Sequence, residues 1–201
     1  MHQGDLPADV DFGMSVAIDT ETMGLNLQRD RLCLIQMSAG DGTAHLVQFA
    51  ADDDYAAPNL KKMLADPAIL KIYHYARFDV GVLQRRLGVV AGPIYCTKIA
   101  SRLTRTYTDR HGLKDLCREL LGVELSKQQQ SSDWGAPDLS NEQRQYAASD
   151  VLYLHDLKSR LDTKLARLGR TELADKCFAF VPTRVALDLA GWEEADIFAH
   201  S

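Results

Sequence analysis

The stretch Met14-Ser15-Val16-Ala17-Ile18-Asp19-Thr20-Glu21 decides how the rest of the chain is read. Met14 to Asp19 is a short apolar run carrying the β-branched residues Val16 and Ile18, the pattern of a buried strand. Side chains two apart on a strand leave from the same face, so the Asp19 and Glu21 carboxylates aim at one place. Two carboxylates so close repel unless a cation sits between them, and hard divalent ions such as Mg²⁺ or Mn²⁺ take oxygen ligands of this kind. Taken alone, D-x-E is better read as a turn-capping Asp beside a solvated Glu.

Outward from this strand the chain alternates between extended and helical patterns. Arg31 to Ser38 and Thr43 to Phe49 read as two further strands, joined by the hairpin link Ala39-Gly40-Asp41-Gly42. Pro58 opens a helix that runs to about Ala65. Ile69 to His74 is a fourth strand, and Arg77 to Leu87 has helical spacing with Gly88 as its stop. From Thr97 onward the pattern is mostly helical. Helices are predicted over Lys98 to Leu103, Leu113 to Leu121 (stopped by Gly122), Asn141 into the 160s and Glu172 to Phe180. Ser140 with Gln143 three residues on makes a capping box for the third of these. Three strands, a helix, a strand and then helices predict an α/β fold with a mixed sheet flanked by helices.

Composition narrows the function classes. The 201 residues are enough for one domain with a sizeable core and short for two, so a single domain over 1–201 is expected. The net charge of −5 excludes a broadly basic clamp for long nucleic acid, because such binding rests on many phosphate neutralisations. A local basic face stays open. The window Lys98 to Arg118 holds six basic against two acidic residues, a net +4. No run approaches the roughly 18 apolar residues of a membrane span, and the N-terminus lacks the basic-then-apolar pattern of a secretory signal. Cys33, Cys96, Cys117 and Cys177 show neither C-x-x-C spacing nor a dense framework, so four reduced thiols in the cytoplasm are expected. The scattered histidines contain no H-E-x-x-H pair.

Two more acidic positions join Asp19 and Glu21. Asp79, in His74-Tyr75-Ala76-Arg77-Phe78-Asp79, falls in the first turn of a helix, where a dipole-favoured acid would be ordinary. Tyr146 and Asp150, in Y-A-A-S-D, are four apart and share a helix face. Each is unremarkable by itself. The ordered set is not. It resembles the three motifs of the DEDD superfamily of 3′-to-5′ exonucleases, in the branch that carries Tyr. The resemblance includes H-x-x-R-F-D (His74 to Asp79), H-G-L-K-D-L (His111 to Leu116) and S-D-W (Ser132 to Trp134), as in ribonuclease D catalytic domains. Ribonuclease D adds C-terminal helical RNA-binding domains for which this chain ends too soon. The nanoRNase C family of alphaproteobacteria matches more closely. The shared stretches are H-Q-G-D-L-P (His2 to Pro7), Cys96 to Lys114, S-K-Q-Q-Q-S-S-D-W (Ser126 to Trp134) and D-I-F-A-H-S (Asp196 to Ser201).

The resemblance implies a ribonuclease H-like (DnaQ-like) fold and a two-metal 3′-to-5′ exoribonuclease that turns RNA dinucleotides and very short RNA into nucleoside 5′-monophosphates. It implies two Mg²⁺ or Mn²⁺ ions ~3.5–4 Å apart. Asp19 would bridge both. Glu21 and Asp150 would complete the site of the ion carrying the attacking water, and Asp79 would support the other. Tyr146 would orient the water. It further implies that Leu25 wedges between bases, although a plain core leucine fits that position equally. Substrate contacts are expected from His74, Arg77, Arg105, Arg110, His111, Lys127, Gln128, Gln129 and Gln130, and the sequence does not choose which caps a 5′ phosphate. The family's ring-like homo-octamers make part of the apolar tail, about 172–201, a candidate subunit interface, while completion of the monomer core is the alternative. Two other readings remain: trimming of longer RNA or of DNA, and a non-catalytic nucleic-acid-binding module. The five intact positions and the pI near 5.6 speak against the module.

Overall fold

The computed structural model describes residues 1–126 and 128–200. A six-stranded mixed sheet runs in the order β1-β4-β3-β2-β5-β6. Its strands are β1 (His2–Gln3), β2 (Ser15–Thr22), β3 (Leu32–Ser38), β4 (His45–Gln48), β5 (Leu70–Tyr73) and β6 (Ile94–Cys96). β2, β3 and β4 pair antiparallel, β5 and β6 continue parallel beside β2, and β1 lies parallel to β4. Every residue of β3 is buried, as expected of a strand covered on both faces. This is the predicted α/β architecture, a mixed sheet flanked by helices.

Eight-residue α1 (Pro58–Ala65) begins at Pro58 and α2 (Ala76–Leu87) ends at Gly88, whose φ of 69° suits the left-handed cap. After α3 (Thr97–Thr104) and α4 (Leu113–Leu116) come α5 (Asn141–Leu152), α6 (Leu154–Arg167) and α7 (Thr171–Leu187). The Ser140 capping box forms with both reciprocal hydrogen bonds. α5 lies on the face of the sheet that holds the smaller apolar cluster of Cys33, Leu34, Leu46, Trp134, Leu139 and Ala147. The larger core lies on the other face, where α2, α6 and α7 bury Val80, Leu83, Leu157, Leu161, Phe178 and Val185. Among the described residues no helix is long and apolar enough to cross a membrane.

Five elements differ in some detail from the sequence expectation. β1 and β6, two and three residues long, are too short for periodicity to reveal. The helix expected from Asn141 into the 160s breaks at Tyr153, where φ is −104° and ψ −1°. α5 buries Ala147 in the smaller cluster and Val151 in the larger core, and α6 continues in the larger core with Leu154, Leu157, Leu161 and Leu165. The 113–121 helix finishes in a π-helical turn, Cys117–Leu121, before Gly122. α7 continues past Phe180 and through Pro182, because its buried stripe of Ala174, Phe178, Val181 and Val185 spans the proline.

Candidate active site

β2 carries Asp19 and Glu21 to its C-terminal end, where its pairing with β3 shifts register between Glu21 and Thr22. α5 crosses the same end and brings Tyr146 and Asp150. One ligand oxygen from each of Asp19, Glu21 and Asp150 lies within 4.8 Å of the others. Asp79, in the first turn of α2, is buried next to this trio and stands apart from it: its Oδ1 accepts a 2.7 Å hydrogen bond from Thr20 Oγ1.

The electrostatics of the cluster follow from burial and like charge. Burial pushes Asp19 up to about 7. It pushes Asp150 to about 8 with help from the Asp19 charge. Glu21 rises to about 10, first through burial and then through Asp19, Asp150 and Asp79. Asp79 is raised well above the usual carboxylate range by burial and by Asp19. Four crowded acids, all oxygen donors, constitute a site that fits hard divalent cations and disfavours its own ionised state without them. Tyr146 is half-buried, its ring 6.0 Å from that of Trp134, and burial with the Asp150 charge raises its phenol above the ordinary value.

Asp19, Glu21, Tyr146 and Asp150 line a cleft of about 670 Å³, together with Leu25, His74, Tyr75, Phe78, Lys98, Lys114, Gln130 and Trp134, while Asp79 lies outside the lining. Leu25 is 84% exposed on its rim, so it is not a core leucine. His74 Nδ1 lies 2.8 Å from Thr97 Oγ1, and that hydroxyl donates its proton to the Tyr73 carbonyl. The ring also faces the His111 backbone, whose hydrogen bond favours a protonated ring nitrogen. Burial lowers the His74 pKa to about 3, so the ring is neutral.

Several expected contacts lie elsewhere. Arg77 does not line the cleft; Asp188, almost fully buried, accepts from its Nε at 2.6 Å and its Nη2 at 2.8 Å. Arg105 is buried, committed to Glu119, the Ser101 hydroxyl and the Arg110 carbonyl. His111 Nδ1 lies 2.9 Å from that same Ser101 hydroxyl, and neither it nor the exposed Arg110 lines the cleft. Gln128 and Gln129 lie outside the lining while Gln130 is part of it, and Lys127 falls outside the described residues, as does Ser201 of the terminal motif. Sequence reasoning missed Lys98, Lys114 and Tyr75 as cleft residues. Lys98 and Lys114 stood in the +4 window; Tyr75 had only its place in the His74–Asp79 motif as a signal.

The 3′-5′ exonuclease family matches residues 6–166, most of the chain. This chain belongs to that family. Ribonuclease D of Granulibacter bethesdensis is 32% identical over 155 residues, covering 77% of this chain and 38% of its own length. The chain thus spans about two fifths of the curated ribonuclease D relatives it matches. Solved structures described as Brucella melitensis NrnC with bound Mg²⁺ and NrnC bound to pGG are 58% and 59% identical, with TM-scores of 0.95 and 0.96. They cover all of this chain and 98% and 97% of theirs. Escherichia coli RNase D, at 27% identity and a TM-score of 0.73, covers 86% of this chain and 45% of its own. Within the exonuclease family, the chain therefore sits close to NrnC.

Proposed function

We propose that this exonuclease-family chain is a divalent-metal-dependent 3′-to-5′ exoribonuclease acting on RNA dinucleotides and very short RNA. The observation that carries this reading is the convergence of Asp19, Glu21 and Asp150 on one point, supported by the likeness to a protein solved with pGG.

Asp19, Glu21 and Asp150 would hold one divalent cation, with Asp79 supporting a second. Such ions supply Lewis-acid stabilisation of the phosphate and a water acidified toward neutrality. The protein's own groups do the rest. Tyr146 keeps its proton at neutral pH and shares a hydrogen bond with Asp150, so it would orient the attacking water by hydrogen bonding and does not act as a base. Trp134 backs its ring. His74, neutral and on the cleft wall, offers a polar ring edge to the substrate's sugar. Lys98 and Lys114 place positive charge along the cleft, and Leu25 offers an exposed apolar surface to a base. Cleavage inverts the phosphorus and releases a nucleoside 5′-monophosphate. The whole chain would act as one domain, in the cytoplasm. The exposed Phe180, Trp192, Ile197 and Phe198 of the tail, left over after Phe178, Val181 and Val185 enter the core, would contribute to a ring-like homo-octamer.

A second reading draws on the DNA polymerase I of Aquifex aeolicus, 33% identical over 151 residues: a DNA exonuclease. One assay separates them. End-labelled RNA and DNA, from dinucleotides to about twenty residues, are incubated with Mg²⁺, with Mn²⁺ and with chelator. Fast Mg²⁺-dependent loss of RNA dinucleotides alone supports the proposal. Equal rates at all lengths point to general 3′-end trimming, and preference for DNA to the second reading.

A further inference from the structure

Two neutral side chains beside the carboxylates are buried without an evident packing reason. Gln36 sits in the middle of β3, directly opposite Asp19 in the strand register, and is fully buried. Its Nε2 lies 3.4 Å from Asp19 Oδ2, and its Oε1 has no hydrogen-bond partner among the described residues. An amide buried with half its polar capacity unmet is unfavourable, and an apolar side chain of similar size would fill this place at less expense in stability. What the amide provides is a donor aimed at Asp19. The reversed amide would set oxygen against oxygen.

Thr20 shows the same logic from the neighbouring strand. It lies between Asp19 and Glu21, so its side chain leaves β2 on the opposite face and is buried among groups it cannot help coordinate. There its hydroxyl donates the 2.7 Å bond to Asp79 Oδ1. A hydroxyl donor favours the ionised carboxylate and fixes which oxygen faces away. Resting on the metal-dependent reading above, we infer that Thr20 and Gln36 are positioning residues. Through them the two central strands preset the Asp79 and Asp19 carboxylates before a cation arrives. Partners of this outer kind orient ligands and tune affinity without touching the ion.

The test uses the full chain and Mg²⁺ alone as probe. Mg²⁺ binding is measured by calorimetry and metal-free thermal stability by differential scanning fluorimetry. The variants are Thr20→Val, Thr20→Ser and Gln36→Met, with Asp19→Asn and Asp79→Asn as controls. Thr20→Val is expected to weaken Mg²⁺ binding about tenfold or more, and Thr20→Ser, which keeps the hydroxyl, less than about threefold. Gln36→Met is expected to raise the metal-free Tm while lowering Mg²⁺ affinity about tenfold, two changes of opposite sign that a merely structural amide would not give. On a 5′-phosphorylated diribonucleotide, Thr20→Val should lower kcat with KM little changed. The inference is overturned if Thr20→Val and Gln36→Met bind Mg²⁺ like the parent while the two Asp→Asn controls lose it; the metal reading would survive that outcome. Should the controls also bind Mg²⁺ unchanged, both the metal reading and this inference fall.

Discussion

Asp19, Asp150 and Glu21 are held above the ordinary carboxylate range, at about 7, about 8 and about 10, so the metal-free fold favours their protonated forms. A raised carboxyl contributes stability that is complete below its unfolded pKa near 4 and is lost as pH climbs through the folded value. In chelator the Tm should therefore fall between about pH 5.5 and 8.5, and added Mg²⁺ should raise it more at the upper pH. Thermal unfolding across that range checks this; a Mg²⁺ effect independent of pH would contradict it. Asp150→Asn is expected to lower turnover by about 10²–10³-fold with the fold intact, the scale of lost charge stabilisation at a metal site. Circular dichroism and a dinucleotide assay measure both. Tyr146→Phe should slow the single-turnover step about 10–100-fold with less than about threefold change in KM. An unchanged rate would make the hydroxyl a spectator. At this scale the sequence was legible where a spacing has one geometric meaning: D-x-E on a strand and Y-x-x-x-D on a helix each force a shared face. It was not legible for Arg77 or Arg105. A guanidinium can serve phosphate or carboxylate equally, and only the fold shows that Asp188 and Glu119 already occupy them.

The elements that aim the site depend on a few local devices. α5, which carries Tyr146 and Asp150, starts at the Ser140–Gln143 capping box. Asp79 rides on α2, whose first turn is tied to the C-terminal segment by Arg77 and Asp188. Arg184 adds a second guanidinium to that carboxylate, 2.6 Å from Oδ1. Removing the acid leaves two partly exposed arginines unpaired. Asp188→Ala is expected to cost about 2–3 kcal/mol, below the full figure for a buried pair because both arginines reach solvent, or roughly 4–12 °C in Tm. Differential scanning calorimetry measures the loss, and a change under about 1 °C would show the clamp to be idle. The capping box was readable because four residues suffice to define it. The break at Tyr153 was not: Ala147 packs in the smaller cluster while Val151, with Leu154 onward, packs in the larger core, and a continuous periodic stretch does not say which cluster each turn meets. The Pro182 passage was missed for a related reason, since the buried stripe of α7 overrode local propensity, whereas Leu113–Leu121 is helical up to Gly122 as expected, with a π-helical last turn.

Across the whole molecule, acids at positions 19, 21, 79 and 150 come together only because β2 lies centrally, with α2 and α5 meeting its C-terminal end from opposite faces. The layer architecture followed from the alternation of strands and helices, but the strand order did not, because β1 and β6 are too short to register. The cleft volume of about 670 Å³ falls within the range of small-ligand pockets. Native mass spectrometry is expected to show an eight-chain particle, and a stable monomer would remove the proposed role of the tail. The account rests most heavily on the cation the converged carboxylates would grip. Anomalous diffraction from crystals grown with Mn²⁺ reads this directly. The expected result is a strong anomalous peak enclosed by Asp19, Glu21 and Asp150, lost in Asp150→Asn. Well-ordered carboxylates with no anomalous peak among them at saturating Mn²⁺ would contradict it.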